Sequence, residues 1–248
     1  MNTEILNCPF EERFKLLECE CDFRGRLTPG GLLRLVQQVA TDQCTAIGMD
    51  DAFYRETRTA FLLAKQAVEV VCPPRRGETL TLSTQGTAPQ RAVYKRITRL
   101  LGEDGTLRAT VDSRWVLVNI ENRRILRRPP ESYPTGWVED LPVDLEQSIH
   151  PPQTLEPAGE GRAEYSFCDT NGHLNNTRYA DIACNALPPE LLRTKQVRSF
   201  RLNYHREVPM GETFSLLRGK VDENSWYVTA LREDKKVFEA LLLLENLK

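Results

Sequence analysis

The 248-residue chain lacks the marks of several broad classes. No apolar run approaches the roughly 18 residues that span a bilayer. Met1-Asn2-Thr3-Glu4-Ile5 does not have the basic-then-apolar opening of a secretory leader. Lys and Arg number 33 against 35 Asp and Glu, a net charge of −2, which gives no support for nucleic-acid binding. The seven cysteines are an odd number with no framework of spacings, and the pair Cys19 and Cys21 has no second pair to complete a zinc set. These absences predict a cytoplasmic protein whose thiols are free and mostly buried, with no metal. No Gly-x-Ser-x-Gly occurs, so nothing supports a serine nucleophile.

What is present is an ordinary globular composition, long enough for one large domain or two small ones. Basic residues cluster at Arg91, Lys95, Arg96 and Arg99 and again at Arg123, Arg124, Arg127 and Arg128. The plain reading is solvated strand faces and turns. The alternative is a docking surface for an acidic partner.

The chain repeats itself once. Cys21-Asp22-Phe23-Arg24-Gly25-Arg26-Leu27 aligns with Cys168-Asp169-Thr170-Asn171-Gly172-His173-Leu174, sharing Cys, Asp, Gly and Leu. A second pair follows in the same order, Gly77-Glu78-Thr79-Leu80 and Gly211-Glu212-Thr213-Phe214. Two ordered pairs indicate a duplicated unit. Strand-like runs (Arg13 to Glu20, Arg162 to Phe167) precede the first landmark in each copy.

A helix follows it. In the first copy Thr28 is a candidate N-cap with Pro29 at the first helical position, Leu32, Val36, Val39, Ala40 and Ile47 form an apolar stripe, and Gly48 is a stop. In the second, Asn175 or Asn176 caps a helix carrying Tyr179, Ile182, Ala183 and Ala186, ended by Pro188. Strands are predicted over Ala60–Val71, Thr79–Gln85, Arg91–Leu100 and Thr106–Asn119, then Val197–Glu207, Glu212–Val221, Ser225–Arg232 and Lys235–Glu245. Tight turns such as Glu103-Asp104-Gly105 exclude parallel crossovers, so the class is α+β with antiparallel sheets. Residues 129–161 hold seven of the fifteen prolines and read as a linker in extended form, pinned by Trp137 and Leu141. The expected division is an N-terminal unit at 1–128, the linker, and a C-terminal unit at 162–248.

The first landmark of the second copy carries the chemistry. Asp169, Asn171 and His173 alternate around a turn that enters a helix, where unpaired N–H groups stabilise a carbonyl oxygen gaining negative charge. Asn171 would hold the carbonyl or the attacking water, and Asp169 and His173 would orient partners and share proton movement. Such residues are also common in turns and caps. Yet the first copy makes the same turn with Arg24 and Arg26, so the turn alone does not demand an amide and an imidazole. On the strand reading, Asn203, His205 and Glu207 share one face, and Glu207 is a candidate base for water if that face meets the turn; the plain alternative is a salt bridge with an arginine. His150, in the linker, reads as incidental.

Asp169-x-Asn171-x-His173-Leu174-Asn175-Asn176-x-x-Tyr179, with Tyr204-His205-Arg206-Glu207 downstream, resembles the acyl-acyl-carrier-protein thioesterases, the plant plastid enzymes and their shorter bacterial relatives. The resemblance covers nearly the whole chain. It implies a tandem double hot-dog, each unit an antiparallel sheet wrapped around a long helix, with the active site in the second unit. It further implies Asp169, Asn171, His173 and Glu207 as active-site residues, no cofactor, and fatty acyl-acyl-carrier protein as substrate and partner. The plant enzymes have a cysteine after the glutamate, where this chain has Val208, which excludes a thiol nucleophile there and leaves direct or carboxylate-assisted hydrolysis. Leu33, Val36, Gln37 and Ala40 are candidates for the acyl tunnel. An acyl-CoA thioesterase and a non-catalytic acyl-thioester sensor are the alternatives; tandem units are compatible with a monomer or a homodimer.

Overall fold

The computed structural model describes residues 4–247; the N-terminal run read above therefore begins, at Met1–Thr3, outside the described residues. In chain order the elements are α1 (Glu4–Asn7), β1 (Phe10–Lys15), α2 (Pro29–Ala46), α3 (Asp51–Thr57), β2 (Thr59–Val70), β3 (Thr79–Gly86), β4 (Val93–Gly102), β5 (Leu107–Asn119), β6 (Arg124–Ile125), β7 (Glu156–Arg162), α4 (Arg178–Asn185), α5 (Pro189–Thr194), β8 (Lys195–Tyr204), β9 (Thr213–Lys220), β10 (Ser225–Arg232) and β11 (Lys235–Asn246). The strands form one antiparallel sheet in the order β1-β3-β4-β5-β2-β8-β11-β10-β9-β7, with the short β6 beside β5. That order is a palindrome. Each strand of the first copy has its counterpart at the same distance from the central β2–β8 seam, where Ala67 pairs with Arg201. The architecture is the expected α+β double hot-dog.

Local rules account for α2. The Thr28 hydroxyl accepts from the Gly31 N–H at 2.9 Å, Pro29 takes the first position, and the chain leaves through Gly48 at φ +81°. Leu32, Leu33, Val36 and Val39 are buried in a core shared with Tyr179, Ala180 and Ala183 of α4 and with Val68, Leu100, Phe200 and Phe238 of the sheet. Both copies therefore share one main core, and a smaller cluster of Leu6, Ile47, Met49, Tyr94, Leu117 and Tyr133 lies apart from it.

The helices touch closely. A side-chain carbon at Gly30 would lie 2.1 Å from the Asp181 carboxylate, so only glycine fits. The Gly30 N–H donates to Asp181 Oδ1 at 3.1 Å, and Arg34 reaches Asp181 Oδ2 at 2.8 Å and Glu20 at 2.5 Å. Arg34 and Asp181 occupy matching positions, each twelve residues after the landmark aspartate of its copy. In a symmetric pair of identical units like would meet like at this point. Joining the copies in one chain let the two positions diverge into opposite charges.

Several expectations are corrected. The helix of the second copy has 8 residues against 18 in the first. Its N-cap is Thr177, while Asn175 Oδ1 accepts from the Thr177 N–H at 2.9 Å in the turn before it. The run Arg162–Phe167 is the end of β7 followed by a single 3₁₀ turn, and Arg13–Glu20 likewise breaks after Lys15. The strand expected to reach Glu207 ends at Tyr204. Only Cys184 is buried, whereas Cys8, Cys19 and Cys72 are exposed because they sit in connections rather than on apolar faces. Lys95 and Arg96, read as solvated, are buried on opposite faces of β4: Lys95 binds Asp140 and the Leu141 carbonyl of the linker, and Arg96 binds Gln43 of α2 and Thr84.

The proline-rich segment lies extended, with alternate residues turned toward and away from the protein over 141–150. Its first part packs on the helix side, Tyr133 against Phe53 of α3, and from Asp140 to Ser148 it covers the opposite face of the sheet. Val111 faces the core, so its neighbour Asp112 faces outward, and Asp112 accepts from the Leu145 N–H at 3.1 Å. Tyr133 anchors the start through Thr59 at 2.6 Å, and Arg201 binds the Ser148 carbonyl at 2.7 Å. Its last residues, from Glu156, form β7 on the second copy's sheet edge.

Candidate active site

The first landmark of the second copy is a tight turn. The Asp169 N–H donates to the His173 carbonyl at 2.8 Å, and the Gly172 N–H to the Asp169 carbonyl at 3.0 Å. Gly172 sits at φ +75°, a conformation that penalises any residue with a Cβ. Asp169 Oδ1 accepts from the Asn171 N–H at 2.8 Å and lies 3.4 Å from the His173 N–H. The first copy repeats this construction: Asp22 Oδ1 accepts from Arg24 and Arg26 at 2.8 and 3.0 Å, and Gly25 has φ +69°. The aspartate is thus the clasp of the turn, kept in the copy that has lost the amide and the imidazole.

The segment after β8 is stitched to this turn. The Leu174 N–H donates to the Val208 carbonyl at 2.8 Å, the Met210 N–H to the Gly172 carbonyl at 2.9 Å, and His173 bridges Pro209. That stitching brings Glu207 to the imidazole, with Oε2 3.6 Å from His173 Nδ1. That distance is longer than a hydrogen bond. A small rotamer change or one water turns it into a hydrogen-bonded link. The Glu207 side chain is 55% exposed, so solvent reaches it freely.

His205 goes elsewhere. It lies 3.1 Å from Glu239, a buried carboxylate that also accepts from Asn203, Tyr227 and Lys236. Burial would raise the Glu239 carboxyl; the bonds from Lys236, Asn203 and Tyr227 overcome that and hold it at about 2. This network is structural and separate from the turn. Burial, with smaller contributions from the charges of Glu207 and Asp169, pushes the Tyr179 hydroxyl well above its ordinary range. Tyr179 stays neutral and packs its ring 5.6 Å from Tyr204 and 4.8 Å from Phe238.

Donors at the start of α4 are fewer than expected. The Thr177 N–H is taken by Asn175 Oδ1 and the Arg178 N–H by the Asn175 carbonyl. The side chain that opens onto space is Asn171. With Thr170 it lines a cavity of about 980 Å³ whose other walls come from the first copy and from Trp137 of the linker. Gln37 and Ala40 of α2 line it as expected; Leu33 and Val36 belong to the core instead. His173 and Glu207 stand outside the lining, at the turn's surface. Residues not foreseen complete the cavity, among them Phe61, Tyr94, Arg96, Trp115 and Trp137. Nothing local marks Phe61, Tyr94, Arg96 and Trp115, which lie on strands and are gathered only when the sheet curls around α2, while Trp137 comes from the linker.

Arg123, Arg124, Arg127 and Arg128 are exposed and follow Ile120, a lining residue, in the chain. Among the described residues no helix is long and apolar enough to cross a membrane.

Two family models match the chain, the acyl-ACP thioesterase N-terminal domain over residues 7–135 and the C-terminal domain over residues 160–237. A chloroplastic acyl-[acyl-carrier-protein] hydrolase of Cuphea viscosissima is 23% identical over 96% of this chain and 59% of its own length. The chain spans little more than half the length of the first curated relatives it matches. An acyl-ACP thioesterase structure from Bacteroides thetaiotaomicron superposes with a TM-score of 0.86 at 24% identity, covering 99% of this chain and 100% of that one. The 12:0-ACP thioesterase from Umbellularia californica does so with a TM-score of 0.81 at 17% identity, covering 96% and 98%. At these identities the superpositions establish the fold.

Proposed function

Because this chain belongs to the acyl-ACP thioesterase family, we propose that it hydrolyses the thioester of a fatty acyl chain carried on acyl-carrier protein, with Asp169, Asn171, His173 and Glu207 as its working residues. The observation that carries this reading is the approach of Glu207 to His173 at 3.6 Å beside Asn171, which opens onto the large cavity.

The division of labour follows from placement. The acyl chain lies in the cavity of the first copy, and its carbonyl stops at Asn171, whose side-chain amide donates to the oxygen. Glu207, open to solvent, takes a proton from water as the water oxygen bonds to the carbonyl carbon. His173 holds the glutamate in place and adds positive character near the developing oxyanion. When the C–S bond breaks, the sulfur leaves and accepts the proton from Glu207. A thiol with a pKa of about 8.5 is a good leaving group, so little protonation is needed in advance. Asp169 sets the turn and touches no reacting atom.

The chain divides in this reading as 1–128, a linker over 129–161, and 162–248, the linker's last residues supplying β7 to the second unit. The acidic carrier docks on the arginines beside Ile120. The test is free-thiol release from acyl-carrier protein. Glu207→Gln keeps shape and removes the base, so turnover should fall roughly 10²- to 10⁴-fold. Turnover equal to the unmodified protein would remove Glu207 from the reaction.

A further inference from the structure

The duplicated architecture contains a second cavity, at the turn of the first copy. There Leu27 donates to the Pro74 carbonyl at 2.9 Å, as Leu174 donates to Val208, which sets Pro73 where Glu207 stands in the second copy. Arg24 and Arg26 replace Asn171 and His173. The hydrolytic groups are gone, yet the space remains, about 410 Å³, within the usual range of small-molecule sites. Leu32, Leu100, Ala109, Leu187 and Leu192 make its walls apolar.

Its rim is cationic. Arg24, Arg26 and Arg193 line it with only two carboxylates, and both are engaged. Asp22 clasps the turn and pairs with Arg24, while Asp181 is held by Arg34 and the Gly30 N–H. Arg24 is loosely tied: its bonds to the Arg193 and Lys195 carbonyls are 3.4 Å each, and its Nε is buried with no partner. An apolar pocket beside Arg24, whose guanidinium is under-bonded, and Arg193, with Arg26 already bonded to Gln196, suits a ligand with a hydrocarbon chain and one planar anionic end.

We propose that this cavity is a non-catalytic binding site for a fatty carboxylate. The hydrolase reading bears only on the origin of that ligand, as the reaction's product. Binding needs no turnover, so the two stand or fall separately.

The experiment is calorimetric titration of the full chain with decanoate, with decanol and 4′-phosphopantetheine in parallel. Unmodified protein should show two decanoate events, one in each cavity. Arg24→Gln/Arg26→Gln should weaken one of them about tenfold or more and leave the other. Leu192→Trp, which fills the pocket from α5 and leaves the arginines intact, should remove the same event, with circular dichroism confirming the fold. Decanol should not bind this site. No event in the unmodified protein, no event weakened in the arginine variant, or decanol binding as tightly as decanoate would overturn the proposal. Occupancy by phosphopantetheine in place of decanoate would also overturn it, assigning the site to the carrier's arm. Decanoate bound here by a chain that releases no thiol would sink the hydrolase and keep the site.

Discussion

Replacing the two landmark aspartates one at a time separates turn-building from chemistry. Asp169→Ala removes an acceptor that bonds the Asn171 N–H at 2.8 Å and lies 3.4 Å from the His173 N–H. A hydrogen bond to a charged group contributes about 1.5–3 kcal/mol, but the longer contact is weak and the site is half-exposed. The net loss should be about 2 kcal/mol, a fall in Tm of about 4–8 °C for a chain of this size. Asp22→Ala removes bonds of 2.8 and 3.0 Å from the matching turn and should cost a similar amount.

The activities should part. A displacement of about 1 Å in Asn171 and His173 lowers turnover by roughly 100-fold, whereas the first turn holds nothing that reacts. Asp169→Asn keeps the accepting oxygen and should retain most activity. Scanning calorimetry and thiol release on the same samples give both readings. Equal loss of turnover in Asp22→Ala and Asp169→Ala would refute the separation. Asp169→Asn with an unchanged Tm and no turnover would make Asp169 a proton carrier and not a clasp.

Ala40→Phe narrows the large cavity from α2, so the preferred acyl chain should shorten; each methylene excluded costs about 0.8 kcal/mol, roughly fourfold in kcat/KM. An unchanged profile across chain lengths would place the chain elsewhere. Reversing Arg123, Arg124, Arg127 and Arg128 to Glu should raise KM for carrier-bound substrate with little effect on kcat, and salt should mask the difference; identical kinetics would discard that surface. The Glu239 carboxyl is held at about 2, below an unfolded value of about 4.3, so its contribution is complete above that unfolded value and lost as pH falls toward 2. The full shift corresponds to about 3 kcal/mol, visible as lower urea stability at pH 3 than at pH 5. Glu239→Gln should flatten that dependence, and an equally steep loss in the variant would show the acid sensitivity to lie elsewhere.

Much of the fold was legible because its rules are local. Thr28-Pro29 announced the start of α2, the glycine turns marked each landmark, and alternating or apolar runs located the strands. The landmark turn was legible for another reason: two copies of one design differ only at certain positions, and those differences isolated Asn171 and His173. What failed also has a physical cause. Strand-like composition continued past Tyr204, but the chain leaves the sheet there to join the turn, a choice made by backbone bonds between Leu174 and Val208 and between Met210 and Gly172 rather than by its side-chain pattern. Lys95 and Arg96 looked solvated since charge favours water, but Asp140 and the Leu141 carbonyl on the linker and the buried Gln43 on α2 supply partners that outweigh it.

The residues in order thus determined that this protein is a duplication, that both copies are helix-then-sheet, and that only the second kept an amide and an imidazole at its turn. Tertiary structure decided what those groups meet. Glu207 lies 34 residues beyond His173 and arrives only through backbone pairing with the turn. The cavity below Asn171 is built by the other copy, about a hundred residues away in sequence. Turns, caps and periodicity act over a few neighbours and can be read along the chain; a site whose walls come from both copies exists only once hydrophobic burial has closed the sheet around the two helices.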